Sequence, residues 1–227
     1  PFHSTALPGT EIFKTAWQRG APQQKGEHMS RIENTMKALR SRGFEPVYFA
    51  TAREAADYLT AEYAGRSVAF GGSRTLEELG LYERLCEKGK PVWHWKQDRK
   101  EALAAAVEAE VYLTSANAVA ETGEIVNIDG SGNRVSATLF GKKEVCFVIG
   151  KNKLTAGYEE AVWRARNVAA PLNARRMGKN TPCARGELRC YDCKSPERIC
   201  RALVTLWEKM FGCERVEVVL IGEDLGF

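Results

Sequence analysis

Apolar positions along this chain switch repeatedly between two periods, and the switches mark its elements. Ile32, Met36 and Leu39 recur at helical spacing, with Gly43 following as a stop. The run 46–50 (PVYFA) reads as a strand, and Thr51-x-x-Glu54 forms a capping box that opens the helix AREAADYLTAEY. Residues 67–72 (SVAFGG) are predicted as a strand entering a turn, with Thr75-x-x-Glu78 capping a short helix beyond it. KPVWHW is strand-like, and Asp98-x-x-Glu101 caps an alanine-rich helix that runs to Ala109. EVYLTS, EIVNID and EVCFVIG are short β-branched and aromatic runs, and 130–133 (GSGN) is predicted as a tight turn between the last two. A long helix is predicted over about 158–170, halted by Pro171. A cysteine-rich segment follows, then a helix over CRALVTLWEKMFG and a final strand, RVEVVLIG.

Strands separated by helices of this length argue for βαβ units. The expected fold is α/β: a mostly parallel sheet with helices on both faces. One domain is expected over 29–227, carrying a cysteine-rich insertion at about 181–201. Residues 1–28 are rich in Gly, Pro and Gln, and His28-Met29 is a junction of the kind expression vectors leave. They are read as a flexible arm or partial vector remnant and given no function. At 227 residues, 44% hydrophobic and 27% charged, the composition is that of an ordinary globular protein with one substantial core. A net charge of +4 admits anionic ligands but argues against nucleic acid as the partner. No apolar run approaches the roughly 20 residues of a membrane span. No secretory signal is visible either. The chain is therefore expected in the cytoplasm, where thiols stay reduced.

In open α/β sheets ligands sit at the carboxyl ends of the strands. Three loops are expected there. In the first, Gly71 and Gly72 would admit a ligand close to the backbone, and Ser73 and Thr75 would offer donors to an anion; the alternative is a plain turn and cap. The second carries Asn117, Glu121 and Thr122, with Gly123 supplying a left-handed turn, and Asn133 and Arg134 follow the GSGN turn. Such a group could bind a small anion, with Glu121 as acid, base or nucleophile. Asn and Thr in loops also serve their own backbone. The third loop holds Gly150, Asn152 and Lys153. His94, between two tryptophans, reads as a strand residue. A Walker motif, a Ser-His-Asp set and a Rossmann fingerprint are absent, since GSGNRV opens no clear helix.

Cys183, Cys190, Cys193 and Cys200 are spaced C-x6-C-x2-C-x6-C. Four thiolates can hold Zn2+ or an iron–sulfur cluster, yet this spacing is neither a pair of C-x2-C knuckles nor the ferredoxin run. Eight basic residues between Arg175 and Arg201 face three acidic ones. They would stabilise a tetrathiolate centre of about −2 net charge. Disulfides or free thiols are the alternatives, as is phosphate contact, which the lack of aromatic residues beyond Tyr191 disfavours. Cys86 and Cys146, in apolar runs, read as buried small hydrophobes.

GGSRTLEELG, TSANAVAETGEIVNIDGSGNRV, FGKKEVCFVIGKNKL and ARNVAAPLNARR, in this order, resemble the LUD (lactate utilisation) domain family, which includes lactate utilisation protein C. The ending TPCARGELRCYDCKSPERIC…VEVVLIGEDLGF resembles its stand-alone, cysteine-bearing branch, so that the likeness covers about 32–227. The resemblance implies a fold similar to ribose-5-phosphate isomerases, glucosamine-6-phosphate deaminases and CoA transferases, in which the glycine-rich turn binds the anionic end of a substrate. It implies a place in lactate or related organic-acid oxidation beside iron–sulfur partner proteins, and it tilts the metal toward [4Fe–4S] over Zn. The expected ligand is a small carboxylate, sugar phosphate or acyl-CoA, and related folds commonly form homo-oligomers. Two alternatives stand beside this reading: a non-catalytic electron-transfer or assembly subunit, and an isomerase- or CoA-transferase-like enzyme with a structural Zn clip.

Overall fold

Most of the β-branched runs join one sheet of six parallel strands, in the order β1-β10-β7-β4-β2-β3. The structure, a computed structural model, describes residues 25–227, with side chains from Met29 onward. The strands are β1 Glu45–Phe49, β2 Val68–Phe70, β3 Val92–Trp93, β4 Val111–Thr114, β7 Glu144–Gly150 and β10 Arg215–Ile221. Successive side chains point to opposite faces, so the central strands feed two cores. Cys146 and Val148 of β7 pack with Phe70, Leu113, Val219 and Ile221 on one face. Val145, Phe147 and Ile149 pack with Tyr112, Val218 and Leu220 on the other.

Helices α2 (Ala52–Tyr63), α3 (Arg74–Glu78) and α4 (Leu81–Cys86) cover the first face through Leu59, Leu76 and Leu81. The second face takes α1 (Lys25–Ser41) through Ile32 and Leu39, and α5 (Arg99–Glu108) through Ala106. It also takes something the pattern did not predict, a second sheet of order β8-β5-β6-β9, built from Leu154–Thr155, Ala118–Ala120, Ile125–Asp129 and Ala202–Leu206. The expected fold class holds, with this sheet as an addition to one face. The arm read over 1–28 lies outside the described residues up to 24, and Lys25–His28 begin α1. Among the described residues no helix is long and apolar enough to cross a membrane.

Both expected caps at Thr51 and Asp98 form, Thr51 as a full capping box with Glu54. Four other expectations are corrected. Where a helix was expected over CRALVTLWEKMFG, residues Ala202–Leu206 form strand β9, paired antiparallel to β6 from Ala202↔Asp129 to Leu206↔Ile125, and 207–212 form no helix. The helical spacing, Leu203, Trp207 and Phe211, lies exposed, while the β-branched pair Val204-Thr205 suits the ladder. GSGN does open a helix, α6 (Asn133–Leu139), because the Asp129 carboxylate accepts from the N–H groups of Ser131, Gly132 and Val135. Ser73, not Thr75, caps α3, its hydroxyl accepting from Leu76 N. Pro171 does not end its helix. The chain runs from α7 (Tyr158–Arg164) through a π turn (Ala165–Ala169) into α8 (Ala170–Arg176). The widened turn, with Ala170 N bonded to Ala165 O, accommodates a residue that lacks an N–H.

At the amino ends of the strands, polar side chains form a closed set. Arg215 donates to Glu144 at 2.8 Å, Glu217 at 2.7 Å and Glu62 at 2.6 Å. The single Tyr63 hydroxyl proton is shared between Glu144 and Glu217, both at 2.8 Å. Burial first, then Cys146, Glu217 and Glu144, hold the Tyr63 hydroxyl protonated, far above its ordinary pKa. Glu217 is fully buried, so removing its cation leaves a charge without compensation. Arg215→Met is expected to cost about 3 kcal/mol, read as a lower urea midpoint with unchanged slope; an unchanged midpoint excludes a stabilising role for the set.

Candidate functional site

At the opposite, carboxyl ends of the strands lies a cleft of about 390 Å3. Its wall is assembled from the loops after β2 (Gly72, Ser73), β3 (His94, Trp95), β4 (Ser115, Asn117) and β7 (Lys153). The start of α6, helix α8 and residues 196–201 complete it. This is the position at which open α/β sheets bind ligands. Cations dominate the lining: eight arginines and lysines face two carboxylates, Asp129 and Glu197. Arg74 is tied to Glu77 and Glu78, and Arg198 to Asp192. Arg99, Lys153, Arg176, Lys179 and Arg201 form no ion pair among the described residues. An excess of unpaired positive charge in a concave site fits an anion.

Lys153 lies at the floor and is 3% exposed. Its Nζ donates to Thr75 Oγ1 at 2.6 Å and to Ser115 Oγ at 2.8 Å. Burial first, then Arg164 and Arg134, hold its pKa well below the ordinary lysine value, and Glu78 opposes them. Arg164 itself is buried and donates to Asn152 O at 2.9 Å, to Asn117 O and to Phe227 O; burial pushes its pKa down to about 10. On the facing wall the Arg176 guanidinium stacks over Trp95 at 4.8 Å. His94, expected as an ordinary strand residue, borders the cleft, its pKa lowered by burial and then by Arg99.

Of the residues picked from sequence, Gly72, Ser73, Asn117, Asn133, Arg134 and Lys153 reach the cleft wall. Several of these are framework. Arg134 spends its donors on Ser115 O, Asn127, Asn117 and Ile128 O. Gly72 is bare because a Cβ would meet the Trp95 ring at 3.0 Å. Gly71, Thr75, Gly150 and Asn152 stand one layer behind the wall. A Cβ on Gly71 would lie 2.8 Å from Thr114 Oγ1, and Asn152 holds the closing segment through Leu225 N and Gly226 O. The structure does not bring Glu121, Thr122 or Gly123 to the cleft. Glu121 pairs with Arg31, Thr122 is exposed and bonds Glu124, and Gly123 (φ +95°) makes the expected left-handed turn between β5 and β6. Arg99, Arg176 and Trp95 were missed. Arg176 belongs to the basic run noticed around the cysteines, which was the available signal.

Cys183, Cys190, Cys193 and Cys200 line one small cavity of about 20 Å3 together with Arg166, Pro171 and Arg198. All four are free, half-buried thiols. Cys190 Sγ accepts from Asp192 N at 3.4 Å and Arg166 Nη2 at 3.6 Å. Arg198 ties the strip together, donating to Cys200 O and Cys193 O, both at 2.8 Å. Among the described residues no three His, Cys, Asp or Glu side chains are already gathered to ligate one ion. Elsewhere Cys146 is buried as expected, but Cys86 is exposed, at the end of α4. Ala170, Arg198 and Ile199 line both cavities, so the cysteine strip adjoins the cleft.

A parallel α/β sheet with a cationic cleft at its carboxyl edge defines the class. The chain matches the LUD domain model over residues 32–221 and belongs to the LUD domain family. It is also similar to the crystal structure of a DUF162 family protein from Deinococcus radiodurans, at 14% identity and a TM-score of 0.49, over 88% of this chain and 99% of that one. None of the curated proteins matches it.

Gly150 illustrates how the cleft floor is made. A Cβ there would lie 2.6 Å from both Asn152 Oδ1 and Leu225 N, and 2.9 Å from Glu223 O. Gly150→Ala is expected to destabilise the fold by about 2 kcal/mol through overpacking, read as a fall in thermal midpoint. An unchanged midpoint would mean that the closing segment does not pack there in solution.

Proposed function

We propose that this LUD-family chain binds a small anionic metabolite in the cationic cleft and carries a metal on Cys183, Cys190, Cys193 and Cys200 at the cleft's edge, serving lactate-type organic-acid metabolism. The observation that carries the reading is the surplus of unpaired cations in a cleft that shares Ala170, Arg198 and Ile199 with the cysteine cavity. A volume of about 390 Å3 suits a carboxylate or sugar phosphate; an acyl-CoA would extend outside it. Glu121 has no part in this reading, since it is ion-paired away from the cleft.

By its chemistry the set suits a metal, since four cysteines line one cavity, although their side chains would have to close on a shared ion. Four thiols line the cavity with Arg166 and Arg198, whose positive charge would offset that of a tetrathiolate centre. Such a centre would supply either electron relay, as [4Fe–4S], or a fixed clamp on the cleft wall, as Zn2+. The resemblance leans to the cluster. The cavity, about 20 Å3, has room for about one water-sized body, so a single Zn2+ would need the thiols to close on it; a cluster would need the helix- and strand-free stretch 186–201 to open. A second reading, an electron-transfer subunit for iron–sulfur partner proteins, is favoured by the partial exposure of all four thiols.

Anaerobic purification followed by metal and acid-labile sulfide analysis is expected to find about four Fe and four sulfides, or one Zn2+, per chain. Cys193→Ser should lose the metal and lower the thermal midpoint. Wild-type chain without metal or sulfide would remove the metal from the proposal. Calorimetric titration with inorganic phosphate at low ionic strength is expected to show binding that Arg99→Ala and Arg176→Ala each weaken about tenfold, or about 1.4 kcal/mol. Redox activity without phosphate affinity would select the electron-transfer reading.

A further inference from the structure

The amine of Lys153 is set up differently from every other cation of the cleft. It is 3% exposed and has no carboxylate partner among the described residues. A neutral primary amine has two N–H bonds and one lone pair. Thr75 Oγ1 and Ser115 Oγ accept two N–H bonds from Nζ, and the third position of Nζ, a lone pair once its proton is lost, has no partner among the described residues. One flank is closed by the segment 223–227. Gly226 sits so close that a Cβ on it would lie 3.3 Å from Nζ and 2.6 Å from Thr75 Oγ1. The open flank belongs to the cleft, which Lys153 and Ser115 both line. The charged groups that act on the amine are Arg164 and Arg134, which oppose its protonation, and Glu78, which favours it. Glu78 is itself engaged by Gly226 N at 2.7 Å and by Arg74. A desolvated lysine beside other cations is the environment that activates an amine.

We infer that Lys153 is a nucleophile of the cleft, condensing through Nζ with the carbonyl carbon of an anionic aldehyde, ketone or 2-oxo acid. The inference rests on the reading of the cleft as an anion site, which would hold the ligand's charged end among Arg99, Arg176 and Lys179. The Nζ lone pair forms a C–N bond as the C=O π pair moves to oxygen. A proton lost from nitrogen reaches that oxygen through the Ser115 hydroxyl, giving a carbinolamine. The carbinolamine then loses its hydroxyl with a second proton as water, leaving a C=N bond. Amine and carbonyl thus give imine and water, without oxidant or reductant. The bland alternative is a buried strut, with Nζ only bracing Thr75 and Ser115.

Pyridoxal 5′-phosphate, an aldehyde bearing a phosphate, is the probe. The full chain is treated at neutral pH with about one equivalent, reduced with borohydride and mapped by peptide mass spectrometry. One reduced adduct is expected, on Lys153, suppressed by inorganic phosphate, slowed several-fold by Ser115→Ala and absent from Lys153→Arg. The wild-type map stands even if a variant fails to fold. Label spread over exposed lysines with Lys153 unmodified, or no label at all, overturns the inference. Phosphate affinity in the same preparation separates the two claims. If phosphate binds and Lys153 stays unlabelled, only the nucleophile falls; if phosphate does not bind, the anion site falls as well.

Discussion

Strand β7 is buried at every residue, and at its carboxyl end backbone packs closely against backbone. Gly150, without a side chain, lets the segment 223–227 close against it, and the chain then turns Lys153 inward onto Thr75 and Ser115. Arg164, reaching from α7, holds Asn152 O, Asn117 O and Phe227 O around the same point. The floor of the cleft therefore depends on contacts among five pieces of chain. A side chain added at Gly150 or Gly226 would disturb all of them, because close-packed interiors relax only partly.

The two ends of the sheet handle charge oppositely. At the amino ends, Arg215 and Arg66 meet Glu144, Glu217 and Glu62, and the positive charge is answered within the protein. At the carboxyl ends, Arg99, Arg176, Lys179 and Arg201 stand without acidic partners among the described residues. Stability alone does not call for such an imbalance, since like charges gathered in a cavity repel. A ligand that brings negative charge relieves it. The closed set answers its charge within the fold, and the open one leaves it to the cleft.

The cysteine strip is tied into the same wall. The π turn that accommodates Pro171 presents Arg166 and Asn167 to Cys190, through its Sγ and its N–H respectively. One turn further along, Ala169 and Ala170 face the cleft. Arg198 is shared by both cavities, and Cys200 is the first influence raising its pKa. A change of charge or volume among the four thiols would thus be felt by the residues that border the ligand space. That adjacency is a consequence of the helix continuing past a proline, where local rules predict a stop.

Much of this was written into short stretches of chain. The strands of the large sheet follow from β-branched runs, the caps at Thr51 and Asp98 from single polar residues, and the rim loops from glycines at strand ends. The cysteine set is plain from spacing. These signals are local, because backbone propensity and side-chain period act over a few residues. The LUD family resemblance, carried by motifs in order, was legible for the same reason. What tertiary structure decided was which local pattern prevailed and which side chains met. Leu203, Trp207 and Phe211 have helical spacing, yet pairing with β6 makes Ala202–Leu206 a strand and leaves Trp207 and Phe211 beyond its end. Glu121 and Lys153 looked alike as polar residues in strand-end loops, but the path of α1 gives Glu121 a partner in Arg31. The closing segment instead seals Lys153 beside two hydroxyls. Arg99 and Arg176 join the site only because distant segments converge, and no period along the chain records which remote residue will complete a contact.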